Sequence, residues 1–213
     1  MTRVPIKLED KHTRLNGQRG MLVDAFLCLD VPASVMADTA KGWAPLWNAG
    51  IERRMRLGLP PIENPHWNWS AKASWLTMAS YRSLGVECEG VMQGLMLVIT
   101  DGYIARVAPD AGKPIVYVDY VQTAPWNNED LVDKSRFAAA GTFLMHGVVQ
   151  LSIEMEYGGR VGLHSLRRSE GFYEKLGMTR VEIEHHDRHV RGLWYFEWTS
   201  KTVDNLLMNK RTP

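Results

Sequence analysis

The sequence predicts an α/β chain, α+β in the way its elements segregate, built around a mixed and mostly antiparallel sheet. Three features carry that prediction. Residues 32–80 are alanine-rich and punctuated by the prolines and glycines that open and close helices. From residue 81 the pattern turns to alternating β-branched and aromatic runs joined by short turns. From residue 136 two helical segments are interleaved with strand-like runs, which gives a sheet with helices packed on it.

Each element can be justified in order. "PASVMADTAKGWAPLWNAGIERRMRLG" begins on a proline and ends on a glycine, and Pro45 must interrupt or begin a helix within it. "LPPIENPHWNWS" is a proline-rich loop, and "SAKASWLTMAS" a short helix capped by Ser70. "YRSLGVEC" and "VMQGLMLVIT" flank Glu89 and Gly90, which suits a tight hairpin. "KPIVYVDYVQTAP" is a strand stopped by Pro125, followed by the polar loop "WNNEDLVD". In "SRFAAAGTFLMHGVVQLSIEMEYGG", Phe137, Gly141, Leu144, Val148, Leu151 and Met155 recur at spacings of four and three, a helical period stopped by Gly158 and Gly159. "RVGLHSL" is a strand and "RRSEGFYEKLG" a helix closed by Gly177. "MTRVEIEH" and "VRGLWYFEWT" are antiparallel strands around a polar turn, and "SKTVDNLLMNKRTP" is a loosely held helix.

Bulk properties narrow the function classes. A chain of 213 residues suits one domain and can bury a sizeable core. A formal net charge of +1 offers no global field for a polyanion, so nucleic acid is an unlikely partner unless a local patch such as "ERRMR" binds it. Cys28 and Cys88 are too few for a disulfide framework or a closed zinc site, and read as buried thiols in a reducing cytoplasm. The most apolar run, "GVMQGLMLVIT", is too short to span a bilayer, and the charged start lacks a leader's apolar stretch. The expectation is a cytoplasmic protein without a membrane partner.

The residues that could carry chemistry cluster around one junction. A strand ending near Thr123 leads to a helix opening near Arg136, and unpaired N–H groups at a helix start attract anions, phosphates above all. "RFAAAG" supplies small side chains for close approach beside the fixed cation Arg136. Other candidates are weaker. "HHDRH" at 185–189 sits in a predicted turn and reads as solvated rather than metal-binding, so no metal is expected. His164 and Ser165 lack the nucleophile-elbow sequence of a hydrolase. Most tryptophans read as core, while Trp67 or Trp69 would wall an acceptor pocket.

"RFAAAGTFL" resembles the pyrophosphate-binding signature of the GNAT acetyltransferase superfamily: Arg or Gln, two residues, Gly, one residue, then Gly or Ala. Arg136 holds the first position and Gly141 the last; Ala139 stands where the family prefers glycine. "GFYEKLGM" is similar to a segment the family carries on the helix after its fifth strand. Leu166 and Ser169 replace the asparagine and alanine usual before it. The resemblance covers residues 115–178 well and residues 1–80 loosely.

The resemblance implies a single acyl-CoA N-acyltransferase-like domain over residues 1–213. Residues 1–80 would be N-terminal substrate-shaping helices, and 81–200 the sheet and cofactor-binding core. Two central parallel strands, "YVDYVQTAP" and "RVGLHSL", would splay, and the pantetheine arm of acetyl-CoA would pair with the backbone of Val121, Gln122 and Thr123. Arg136, Phe137, Ala138, Ala139, Ala140, Gly141 and Thr142 would hold the diphosphate. Tyr173 would protonate the departing thiolate, and Asp119, on one strand face with Val121, would take the amine's proton. Glu87 and Glu89 on the preceding hairpin are alternatives for that base, and Glu87 is also a candidate for binding the acceptor. The implied reaction is acetyl transfer to a small-molecule or peptide amine. Aminoacyl-tRNA stays open as a toxin-like acceptor, a catalytically silent acyl-CoA- or partner-binding module is the rival, and a homodimer is compatible.

Overall fold

The first thirty residues alternate rather than coil. "TRVPIKLED" and "MLVDAFLCL" form β1 (Thr2–Asp10) and β2 (Met21–Leu29), antiparallel from Thr2 opposite Leu29 to Asp10 opposite Met21. This corrects the expectation of helices throughout residues 1–80: the apolar residues at Val4, Ile6 and Leu8 keep a period of two, which a helix cannot bury on one face. Pro5 is tolerated because β1 lies near the edge of the sheet, where a missing N–H breaks few ladder bonds.

The structure is a computed structural model that describes residues 1–181 and 192–209. After β2 come α1 (Ala33–Arg56), α2 (Trp69–Lys72), β3 (Tyr81–Cys88), β4 (Val91–Ile99) and β5 (Val116–Thr123). Then follow β6 (Phe137–Ala138), α3 (Ala140–Glu154), β7 (Val161–Ser165), α4 (Glu170–Lys175), β8 (Thr179–Val181), β9 (Trp194–Trp198) and α5 (Ser200–Asn209). The strands form a nine-stranded sheet in the order β6-β1-β2-β3-β4-β5-β7-β9-β8. β5 and β7 pair in parallel, whereas β1–β2, β1–β6, β2–β3, β7–β9 and β8–β9 are antiparallel. The "HHDRH" stretch and its predicted turn lie outside the described residues. No helix among the described residues is long and apolar enough to cross a membrane.

The chain divides into two compact units, and β4, β5 and α3 each contribute residues to both. The first comprises Met1–Met96 and Val121–Leu144. Its long helix α1 buries Met36, Trp43, Trp47, Gly50 and Arg54, spaced by seven, four, three and four. Pro45 lies inside α1 and does not end it, against expectation. It sits on the exposed face, where solvent can take the carbonyl its missing N–H leaves free. The α2 cap is Asn68, whose side chain accepts the Ala71 N–H, rather than Ser70. The Glu89–Gly90 hairpin forms as expected, with both residues at positive φ. Gly94 of β4 permits the close approach of α3, since a Cβ there would stand 3.0 Å from Leu144. Cys28 and Cys88 are free, buried thiols, and burial pushes both above the ordinary thiol pKa.

The second unit comprises Leu97–Tyr120 and Met145–Pro213. Its core is aromatic: Tyr195, Phe196 and Trp198 of β9 are fully buried. Two buried carboxylates tie its loops. Glu197 accepts the backbone N–H groups of Arg106 and Val107 and the Tyr195 hydroxyl. Burial alone would raise the Asp110 pKa, but hydrogen bonds from Lys113 and Ser200 outweigh it and hold it at about 2. Gly177 closes α4 at φ 77°, as the sequence predicts.

Candidate active site

The parallel ladder between β5 and β7 is short. It pairs Val116, Tyr117 and Val118 with Val161, Gly162 and Leu163 and stops, while β5 runs on to Thr123. Burial follows the ladder. Val116–Val118 are buried, and Asp119, Tyr120 and Val121 are only half-buried. Asp119 therefore stands just beyond the paired stretch. Burial first, and then the Asp119 charge, hold the neighbouring Tyr120 phenol above its ordinary pKa.

The segment after β5 is built rather than slack. Gln93, the one amide in the most apolar run of the sequence, accepts N–H groups from both Trp126 and Asn127 at 2.7 and 3.0 Å. Asn127 in turn accepts the Phe137 N–H, and the Trp126 carbonyl accepts the Arg136 N–H. The chain then pairs with β1, Ala138 opposite Glu9 and Phe137 opposite Asp10. These residues were expected within a helix; they form a strand, because the loop's anchors pull them to the β1 edge. The Arg136 and Phe137 amides are thus engaged inside the protein, and the helix starts at Ala140.

The turn into α3 carries the sharpest local feature. Ala139 adopts φ 70°, the left-handed region an alanine rarely enters, and this is the position where the resemblance calls for glycine. Its carbonyl accepts the Phe143 N–H, so it begins the helix without a side-chain oxygen to cap the first turn. The amides of Ala140, Gly141 and Thr142 have no partner within the helix by its geometry. Three residues before Ala139, the Arg136 guanidinium, about one-third exposed, lies 2.8 Å from Glu89 and 3.7 Å from Asp10, and stacks over Phe137 at 4.5 Å. Ala139→Gly is expected to stabilise the protein. A left-handed L-residue costs about 1–2 kcal/mol. Glycine's extra freedom in the unfolded chain offsets about 0.4–1 kcal/mol of that. The net gain of about 0.5–1 kcal/mol would appear as a higher urea midpoint at unchanged slope.

The first unit also gathers the acceptor-side candidates. Trp67, Trp69 and Gln122 line one cavity of about 460 Å³, together with Trp43 and Trp47 of α1. The Trp69 indole donates to the Gln122 side-chain oxygen at 2.6 Å. Trp43 and Trp47, read from sequence as core, are buried as expected, spaced by four on one face of α1, and also border this cavity. Glu87 lies in a second cavity of about 380 Å³ with Asp38, Trp43 and Trp126, and its carboxylate is paired to Arg3 at 2.6 Å.

Tyr173 belongs to the second unit. On α4 it is 5% exposed and packs edge-on against Phe172, with centroids 5.2 Å apart, and against Phe196 at 5.7 Å. Burial raises its phenol pKa well above the ordinary value, so the hydroxyl keeps its proton at neutral pH. Leu166 begins the single turn that precedes α4. His164 hydrogen-bonds the Tyr117 hydroxyl at 2.7 Å, while the Ser165 hydroxyl donates to the Leu166 carbonyl, so the two form no nucleophile pair.

No family model and no curated protein matches the sequence. Solved structures do match in shape. A structure described as a bacterial toxin aligns with a TM-score of 0.54 at 10% identity, covering 86% of this chain and 95% of the other. A probable acetyltransferase of the GNAT family from Chromobacterium violaceum aligns with a TM-score of 0.50 at 12% identity, covering 84% of this chain and 90% of the other. With its strand order, its short parallel ladder and the helix that follows β5, the chain has the fold of the GNAT acetyltransferases.

Proposed function

We propose that the protein is an acyltransferase that moves an acetyl group from acetyl-CoA to a primary amine by direct attack in a ternary complex. The observation that carries this reading is the turn into α3. Ala139 takes the left-handed conformation at the signature's glycine position, with Arg136 three residues before it and, after it, a helix start without a side-chain cap at Ala139. In this reading Arg136 and the amides from Ala139 to Thr142 hold the diphosphate, with Phe137 and Ala138 shaping the approach. The backbone of Val121, Gln122 and Thr123 pairs with the pantetheine arm. The amine nitrogen attacks the thioester carbonyl, the C–S bond breaks, and the thiolate takes a proton from Tyr173. The amine's own proton goes to Asp119, directly or through water. Proximity of two bound reactants supplies most of the acceleration.

Two observations favour second readings. Arg136 is held by carboxylates, which suits a silent module whose phosphate site is closed. The likeness to a bacterial toxin favours a toxin-like acetyltransferase of aminoacyl-tRNA. Against the latter, Arg54 is buried on the Pro60 and Asp130 carbonyls and Arg53 is paired with Asp133, so much of "ERRMR" is turned to internal use.

One experiment separates these. Acetyl-CoA at ~100 times its dissociation constant should stabilise the protein by about 2.7 kcal/mol. Thiol release on a panel of amines then supports the enzyme, and release on aminoacyl-tRNA alone the toxin-like form. Stabilisation with no release supports the silent module. No stabilisation by acetyl-CoA overturns the whole reading.

A further inference from the structure

One buried side chain ties together three segments of the first unit. Gln93 is 2% exposed in the apolar run of β4, and every hydrogen-bonding position on its amide is taken. Its oxygen accepts the Trp126 indole N–H at 2.7 Å and the Asn127 side-chain N–H at 3.0 Å. Its nitrogen donates to the Cys88 and Val91 carbonyls at 3.3 and 3.1 Å, one on each side of the Glu89–Gly90 turn. The directions are forced. An indole N–H only donates and a carbonyl only accepts, so the amide can face just one way. Asn127 must then turn its NH2 group to Gln93, which leaves its oxygen for the Phe137 N–H at 2.9 Å. The polar chain thus runs from the hairpin carbonyls through Gln93 and Asn127 to Phe137. A second branch passes through Trp126, whose indole Gln93 holds and whose carbonyl accepts the Arg136 N–H at 3.0 Å.

The place is specific for an amide of this length. A glutamate would set a second oxygen against two carbonyls, and an asparagine is one methylene short. A methionine has nearly the right reach but strands two donors and two acceptors. Stability alone does not call for an amide here, because β4 continues with the fully buried apolar side chains of Leu95, Met96, Leu97 and Val98, and an apolar replacement of a whole buried network can be nearly neutral. A fully satisfied buried network rigidifies and selects one geometry. The geometry selected is the backbone path at Arg136 and Phe137, three and two residues before the left-handed Ala139.

We propose that Gln93 is a positioning residue for acetyl-CoA: through Trp126 and Asn127 it holds the turn at 136–139 in the form that receives the diphosphate. This rests on the acyl-transfer reading, in which that turn is the diphosphate site. Gln93 is buried and acts only through the loop. Its effect is one of population: apparent affinity falls in proportion to the fraction of molecules whose loop keeps this path. One net hydrogen bond shifts such a balance about fivefold, and the Gln93 oxygen supplies the loop with two.

Calorimetric titration of the full chain with acetyl-CoA, well below the melting transition of every variant, is the test. Gln93→Met should weaken binding at least about tenfold, through the two hydrogen bonds the loop loses. Asn127→Ala, at a half-buried loop position that puts folding at less risk, should weaken it about fivefold. The double variant should lose little beyond Gln93→Met alone, because both changes cut one chain. Ser83→Ala is the control for destabilisation. Ser83 is as buried as Gln93 and donates to the Val31 carbonyl, outside this network. Its loss should lower the melting temperature and leave acetyl-CoA binding within a factor of about two. Amide hydrogen exchange follows the route without ligand: in Gln93→Met the Arg136 and Phe137 amides should exchange at least about tenfold faster, while the interior of α3 keeps its protection. A merely structural Gln93 would lower the melting temperature and leave the affinity unchanged. The inference is overturned if wild type binds acetyl-CoA and both Gln93→Met and Asn127→Ala match it within a factor of about two, or if Ser83→Ala weakens binding as much as they do. No binding by wild type removes the acyl-transfer reading and this inference with it.

Discussion

Tyr173→Phe should lower the rate of acetyl transfer by about 10²–10⁴-fold, the usual contribution of a positioned proton donor, while leaving the protein folded. The two halves of that expectation come from different atoms of one side chain. The ring is the structural half: it is 5% exposed and packs on Phe172 and Phe196. Phenylalanine keeps those contacts, so the melting temperature should move little. The hydroxyl is the chemical half. Burial holds it protonated into the alkaline range, so in the acyl-transfer reading the proton is in place when a thiolate forms, while the same raised pKa makes the phenol a weaker acid. The sign on pH follows. A phenol whose folded pKa lies above the usual value stays competent as an acid past pH ~10, where a free tyrosine would begin to ionise. The wild-type kcat should therefore show no alkaline fall from this group below that pH. Steady-state rates of thiol release across pH, for both proteins, make the check. A variant within a few-fold of wild type, with the same profile, would reduce Tyr173 to a core ring.

The elements the sequence showed best are those whose local and tertiary signals agree. The strands β3 and β4 are apolar runs flanking the Glu89–Gly90 turn, and β5 is rich in β-branched and aromatic residues between Pro114 and Pro125. The helix α4 carries its stop signal at Gly177, and that stop forms. What misled was local chemistry overruled at longer range. Pro45 is a helix breaker by rule, yet α1 runs through it, because the burial of Trp43 and Trp47 fixes the helix on both sides of an exposed proline. Phe137 continues the heptad-like period of α3, but Asn127 and Trp126 claim the Phe137 and Arg136 amides and hold the segment against β1. Asn68 and Ser70 are both good caps, and only the loop's path selects the first. In the candidate site, the motif positions were visible as letters. That Ala139 takes a glycine's conformation, and that Gln93 anchors the loop behind it, depends on contacts between residues far apart in the chain.

Those contacts bear on the proposed diphosphate site. Arg136→Glu should abolish stabilisation by acetyl-CoA. In the ligand-free protein the Arg136 guanidinium is shared by Glu89 at 2.8 Å and Asp10 at 3.7 Å, so a phosphate must displace carboxylates to reach it. Arginine is suited to that exchange, because its fork fits carboxylate and phosphate alike. Reversing its charge removes charge-assisted hydrogen bonds worth about 1.5–3 kcal/mol and sets three carboxylates against the ligand. The affinity loss is then at least about a hundredfold. At an acetyl-CoA concentration that stabilises wild type by about 2.7 kcal/mol, the variant should gain less than about 0.5 kcal/mol. The pairs being lost are partly exposed, worth at most about 1 kcal/mol each, so the unliganded variant should still melt cooperatively. Glu89→Gln supplies the opposite arm: it removes a competitor for the guanidinium and should tighten acetyl-CoA binding a few-fold, more at low salt than at high. Were Arg136→Glu to keep the full thermal shift and Glu89→Gln to leave it untouched, the diphosphate would have to bind elsewhere. The strained turn at Ala139 would then be a consequence of how the loop is anchored, with no role in holding acetyl-CoA.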